Sequence, residues 1–264
     1  MIDRLPWPGK SALIIAHPGH ELRLYHWLEA AKPVVLVLTD GSGSLQQPRL
    51  ASTAAVLKTA GARCGEIYGL FSDAEIYAAL LDQEIAVFQQ LLERIAAFLI
   101  HQHIDVVAGD VLEGYNPAHD LCRYLINAAT TLVQRTTGRI ISNYDFPLVG
   151  FPRRCRETQC REAIRLRLDE AAWQRKWQAV QGYSELAAEV ENAVTTLGED
   201  VFKEEWLHPV DHAAALWEFP SGPPFYERHG ERRCQEGVYR AVIRYQQHVK
   251  PVAQALWRQA SGSL

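Results

Sequence analysis

No apolar run in this 264-residue sequence is long enough to cross a bilayer: stretches such as PVVLVL at 33–38 fall far short of the ~18 residues that a membrane span needs. The opening MIDRLPWPGK lacks the apolar core of a secretory signal, so no leader is expected there. There is also no C-x-x-C. The five cysteines (Cys64, Cys122, Cys155, Cys160 and Cys234) are odd in number and scattered, which argues against a disulfide framework and, with the absent leader, for a reducing, cytoplasmic setting. Nor is there an excess of positive charge. With 27 Lys and Arg against 31 Asp and Glu, the net charge of -4 gives no general basic surface for nucleic-acid phosphates. Internal repeats and low-complexity tracts are missing, and so are G-x-S-x-G, the Walker loop and G-x-G-x-x-G, leaving hydrolase-elbow, nucleoside-triphosphate and dinucleotide readings unsupported. What remains, 48% apolar and 22% charged residues, is the composition of an ordinary globular protein that can build its own core.

Two signals alternate through the first half. Apolar β-type runs stand at 11–17, 33–41, 64–70, 105–111 and 139–146, and segments of helical composition at 20–32, 49–62, around 73–102 and at 120–138. Alternation of this kind, with strands apolar almost throughout, predicts a parallel sheet buried on both faces. The expected fold is α/β: a Rossmann-like, doubly wound, mostly parallel sheet over residues 1–150, with a helix-rich extension over 151–264 packed on the same domain. In that extension an Arg-rich helical stretch, the helical segment DEAAWQRKWQAVQGYSELAAEVENAVTTL and a helical tail from Arg233 to Trp257 are expected.

Ligands of open parallel sheets bind beyond the carboxyl ends of the strands. That rule singles out Ala16-His17-Pro18-Gly19-His20-Glu21 after the first strand, Thr39-Asp40-Gly41-Ser42-Gly43 after the second, and Asp110 to Asp120 after the fourth. His17, His20 and His119 thus fall on two loops of one rim, where neutral imidazoles among carboxylates suit a divalent metal, zinc above all. The plainer alternative for each histidine is a helix cap or a satisfied structural polar group.

AHPGHE resembles the AHPDDE signature of the PIG-L/LmbE-like N-acetylglucosaminyl deacetylases, zinc-dependent enzymes of Rossmann-like fold. TDG closes the second strand as it often does in that family, Arg49 opens the next helix where relatives carry an arginine, NPAH at 116–119 stands where they have HPDH, and AAWQRKWQAVQGYSEL is similar to one of their helices. The resemblance covers about the first 150 residues and thins beyond about 200. It implies that His17, His20 and His119 are the metal ligands, His20 replacing an aspartate. It also implies a small-molecule substrate, an N-acetylated amino sugar or its conjugate, whose acyl group is removed from nitrogen. Two departures touch catalysis: Gly19 replaces the acidic general base, and Asn116 replaces the first histidine of HPDH. Either a rim carboxylate has taken over, with Asp110 and Glu113 preferred over Asp40 and Glu21, or the protein is a catalytically silent metal- or glycan-binding member of the fold. If the missing base were the only defect, Gly19→Asp would raise activity. Asn116 or Tyr115 would steady the oxyanion, and Asp40, Arg49, Arg228 and His229 would contact substrate.

Other features carry less. The TDGSGS stretch could cradle an anion on backbone N–H groups or be a plain loop. Arg153, Arg154, Arg156, Arg161, Arg165 and Arg167 could bind an anion or form a solvated face. His208 and His212, four apart, read as structural, and Trp173 with Trp177 as a packing stripe.

Overall fold

A computed structural model describes residues 9–43, 46–153, 162–210 and 222–262. Strands β1 (Lys10–Ile15), β2 (Val34–Thr39), β3 (Arg63–Phe71), β4 (Ile104–Asp110) and β5 (Ser142–Phe146) are parallel, and β6 (Ile164–Arg167) and β7 (Glu204–Pro209) add an antiparallel edge. Their order is β3-β2-β1-β4-β5-β7-β6. The chain runs outward in both directions from β1 and β4, so the switch point of the winding lies between these two strands, where such folds open a crevice.

Side chains alternate between the sheet's faces, and both faces are covered. Ile14 and Leu36 point into one apolar cluster, while Leu13, Ile15, Val35 and Val37 point into the other. The second cluster takes in residues of α1 (Tyr25–Ala31), α2 (Leu50–Ala60) and the end of α6 (Glu170–Gln181). The first lies under α3 (Asp73–Leu81), α4 (Ile85–His101), α5 (Pro117–Thr137) and α9 (Lys250–Ser261). Helices α7 (Ala187–Leu197) and α8 (Phe225–Gln235) complete the described set. Helix α5 starts where local chemistry says it should: Asn116 accepts the Ala118 N–H at 2.8 Å, Pro117 takes the first turn, and Gly138 at φ +74° closes the helix. Among the described residues no helix is long and apolar enough to cross a membrane.

The second half adds two strands to the expected helix-rich extension. The Arg-rich stretch contains strand β6, whose Leu166 is buried against the sheet's second cluster with Ile164 beside it, while Arg165 and Arg167 turn outward to Glu204. I-R-L-R has a period of two, which four residues of helical composition masked. Arg154, Arg156 and Arg161 lie outside the described residues, and exposed Arg153 stands 5.9 Å from the Phe151 ring. The stretch 73–102 is two helices, broken where Gln83 takes φ +52°. The tail is likewise interrupted between α8 and a π-turn at Tyr245–Val249 that leads into α9. His208 sits on β7, buried, with Nδ1 3.4 Å from Asp145; His212 lies outside the described residues. Trp173 and Trp177 stack at 5.2 Å, as a packing stripe would.

The β7 strand was hidden in sequence by its inward glutamate. Glu205 is buried, and its carboxylate accepts the His26 and Trp27 backbone N–H groups at 2.8 and 2.9 Å, satisfying the start of α1. Lys176 Nζ donates to it at 2.8 Å and to the Arg23 carbonyl at 3.1 Å. Burial lowers the proton affinity of this lysine and the charge of Glu205 opposes the effect, so the pair ties α6, β7 and the start of α1 together. Removing one partner strands the other in low dielectric. Lys176→Met is expected to cost about 3 kcal/mol, read as a fall in the denaturant midpoint; a midpoint within experimental scatter of the parent would show that the pair does not hold these elements together.

Candidate functional site

The turn after β1 and the first helical turn after β4 meet at the switch point and bring the three expected imidazoles together. Ring centroids stand 5.3 Å apart for His17 and His20, 5.1 Å for His17 and His119, and 4.5 Å for His20 and His119. Three imidazoles bound tetrahedrally through nitrogen at zinc distances would have centroids roughly 5 Å apart. Among the described residues no group of three or more His, Cys, Asp or Glu side chains is already closed into a metal cage. The three rings nonetheless stand at the spacing that ligands of one ion would have. His17 Nε2 is buried without a partner, as a donor atom awaiting a ligand would be. Burial lowers the proton affinity of His20 against the pull of Asp110, and burial together with His20 and His17 pushes His119 well below the ordinary range. The latter two rings are therefore neutral at neutral pH, the form that ligates metals.

Carboxylates surround the cluster in distinct roles. Asp110 closes β4 with no exposed surface, and both of its oxygens are engaged: each lies 3.0 Å from His20 Nδ1, and Oδ2 also accepts the Ala16 N–H at 2.8 Å. The fold thus places Asp110 behind His20, as an orienting group. Asp73, which the sequence did not single out, lies 3.0 Å from His17 Nδ1. Its only sequence signal is an acidic residue just after the helix-capping Ser72, which reads as a helix-start residue. Glu113 differs from both. Oε2 accepts the Val149 N–H at 3.2 Å, whereas Oε1 is buried without a hydrogen bond, 3.7 Å from His119 Nδ1. Burial pushes its carboxyl up to about 7, against the Val149 N–H and with help from the charge of Asp110.

No protein-family model and no curated protein sequence matches the chain. Solved structures do. A teicoplanin-pathway deacetylase triple mutant aligns at TM-score 0.51 and 14% identity over 76% of this chain and 97% of that one. The zinc-inhibited form of a teicoplanin deacetylase aligns at TM-score 0.50 and 14% identity over the same shares. The deacetylase of the antimicrobial A40926 pseudoaglycone aligns at 0.49 and 20% identity over 77% and 98%. The fold is that of solved deacetylases.

The remaining candidates divide. Arg49, at the start of α2, packs its Nε over Gly41 and leaves it buried without a partner; its charge is felt at His20 and Glu21. Tyr115 is half-exposed, 6.4 Å from the His119 ring and stacked on Phe225 at 5.1 Å, so α8 reaches the rim from the second half. His229 follows Phe225 at 5.9 Å, while Arg228 is exposed. Asn116 is committed to the α5 cap through Oδ1 and gives one of its two Nδ2 hydrogens to the Tyr77 hydroxyl at 3.0 Å. Asp40 closes its own turn by accepting the Ser42 N–H at 2.9 Å. The N–H groups of Gly41 and Ser42 go to Thr39 and Asp40 within the TDGSGS loop, and that of Gly43 goes to the Asp73 carboxylate.

Gly19 is more than a missing carboxylate. Its φ of +104° disfavours any side chain, and a Cβ there would lie 2.4 Å from Leu186 Cδ1. The Gly19 N–H donates to Glu21 Oε2 at 2.7 Å, and Glu21 in turn accepts from the Thr53 hydroxyl, which meets the Tyr183 hydroxyl at 2.9 Å. Burial pushes the Glu21 carboxyl up to about 7 against these donors. The Leu186 end can swing away; the backbone cannot. Gly19→Asp is therefore expected to cost about 1–3 kcal/mol in thermal unfolding and to give no gain in amide hydrolysis, which revises the simple expectation that restoring the acid restores activity. A stable variant with raised turnover would show that the turn accommodates the acid.

Proposed function

We propose that the chain is a metal-dependent hydrolase that removes an acetyl or related acyl group from the amide nitrogen of an N-acetylated amino sugar or its conjugate. One observation carries the reading: three imidazoles gathered at the switch point, with the unpaired oxygen of Glu113 beside them. The shared fold supports it, and a teicoplanin deacetylase of that fold exists in a zinc-inhibited form. His17, His20 and His119 would hold one divalent metal, zinc or a related ion. When bound, such an ion polarises an amide carbonyl and stabilises the negative charge that develops on its oxygen.

The chain's own groups supply the rest. Glu113, with a carboxyl near 7 and Oε1 free, takes the proton of the attacking water and returns it to the departing amine. This assigns Glu113 the part that an acid at position 19 would otherwise play. Asp110, with both oxygens engaged, keeps His20 oriented. Arg49 offers its unpaired Nε to the polar part of the substrate, and Tyr115 with Phe225 forms an apolar wall against which a sugar face packs, near His229 and the exposed Arg228.

Amine release from a panel of N-acetylated amino sugars and their conjugates tests the reading, using protein stripped with chelator and reloaded with zinc, cobalt or manganese. Activity that vanishes on stripping and returns on reloading is expected. Protein that binds metal yet releases no amine from any substrate would replace this reading with that of a silent binding member of the fold. Glu113→Gln is expected to lower kcat by about 10²- to 10⁴-fold at little cost in thermal stability; turnover near the parent's would move the base elsewhere.

A further inference from the structure

We infer that Asp73 and Asp110 are positioning residues that hold His17 and His20 as Nδ1–H tautomers, so that both rings turn an unprotonated Nε2 toward the cluster and the charge that attracts a dication stands behind the ligands. The inference rests on the metal reading above and goes beyond it by assigning the source of affinity and the class of ion.

The tautomers follow from hydrogen-bond bookkeeping. Thr39 Oγ1 lies 2.8 Å from His17 Nδ1 and 3.1 Å from the Ala16 carbonyl. A carbonyl only accepts, so the Thr39 proton goes to Ala16 and the hydroxyl oxygen is left to accept from His17. Asp73 Oδ1 lies 3.0 Å from the same Nδ1 as a charge contact without a hydrogen bond of its own, and its Oδ2 is pinned by the Gly43 N–H at 2.7 Å. Nδ1 of His17 therefore carries the hydrogen, and Nε2 is the buried atom left without a partner. At His20 both Asp110 oxygens lie 3.0 Å from Nδ1, and Oδ2 already accepts the Ala16 N–H. With both of these acceptor oxygens at the same nitrogen, the hydrogen is placed on Nδ1 again.

Charge gives this arrangement its consequence. Imidazole ligands bring no negative charge of their own to a dication. Asp73 and Asp110, both buried, supply two carboxylates one ring's width behind the Nε2 atoms. Carboxylates in this position raise the basicity of ligating imidazoles, and their loss commonly weakens metal binding by about 10- to 100-fold. An all-nitrogen ligand set also favours zinc, cobalt, nickel and copper over magnesium and calcium, which demand oxygen.

Zinc binding to the full chain, measured by competition with a chromophoric chelator, tests this, with magnesium and calcium as comparison ions. Asp73→Ala is expected to weaken zinc by about 10- to 100-fold while the metal-free melting curve still shows a cooperative fold, and millimolar magnesium or calcium should not displace zinc. Zinc affinity within about twofold of the parent in Asp73→Ala, in a parent that does bind zinc, overturns the inference. A parent that binds no zinc overturns the metal reading instead. Nitrogen NMR of histidine-labelled, metal-free parent protein examines the tautomers separately and needs no variant to fold: Nδ1–H signatures for His17 and His20 are expected, and an Nε2–H signature on either ring overturns the assignment.

Discussion

The Asp110 carboxylate is the contact on which the site depends. It ends β4, has no exposed surface, and accepts at once from the Ala16 backbone N–H and from the ring of His20. A buried carboxylate is tolerated only when its oxygens are met by donors, and here those donors come from the strand and the turn next door. The same group thus holds the carboxyl ends of β1 and β4 together and sets the attitude of a candidate ligand. Arg123, from α5, secures the other side by donating to the Asp110 carbonyl at 2.6 Å and to Asn143 and Tyr144 on β5.

From that contact the rim divides into layers. Asp110 is spent on the His20 ring and Asp73 Oδ2 on the Gly43 N–H, Glu21 and Thr53 on the turn at Gly19, and Asp40 on its own loop. Asp120 does similar work for the loop bearing Glu113, accepting the Glu113 and Gly114 N–H groups at 3.2 and 3.1 Å. After these commitments Glu113 Oε1 is a carboxylate oxygen facing the imidazoles with no hydrogen bond of its own. Asp73 Oδ1 and Asp120 Oδ2 are likewise buried without a hydrogen bond, so it is the place beside His119, and not exclusion, that distinguishes Glu113. Leu186 and Tyr183, from the segment after α6, close over Gly19, so the second half of the chain also shapes the space in which chemistry would occur.

Much of this was legible in the sequence where the signal is local. The parallel strands announced themselves as apolar runs between helical segments, and the strand-end rule alone put His17, His20 and His119 on two loops of one rim. The antiparallel edge was not legible. Strand β6 is four residues long, and β7 hides its inward side behind Glu205, whose burial is acceptable only because Lys176 and two helix-start N–H groups meet it. The structural duty of Asn116 was not legible either: its side chain caps α5.

By itself, the sequence determined the winding of the parallel sheet, the placement of the histidines at strand ends and the absence of an acid at position 19. These follow from residue type and from periodicities of two and 3.6, which act within a few residues. Tertiary structure alone decided which acid does what. Asp73, Asp110 and Glu113 are alike as residues, yet their surroundings come from partners 30 to 94 positions away: Gly43 and His17 for the first, Ala16 and His20 for the second, Val149 for the third. A carboxylate's function is set by which donors occupy its oxygens and how much water is withdrawn from it, and both are properties of the packed chain.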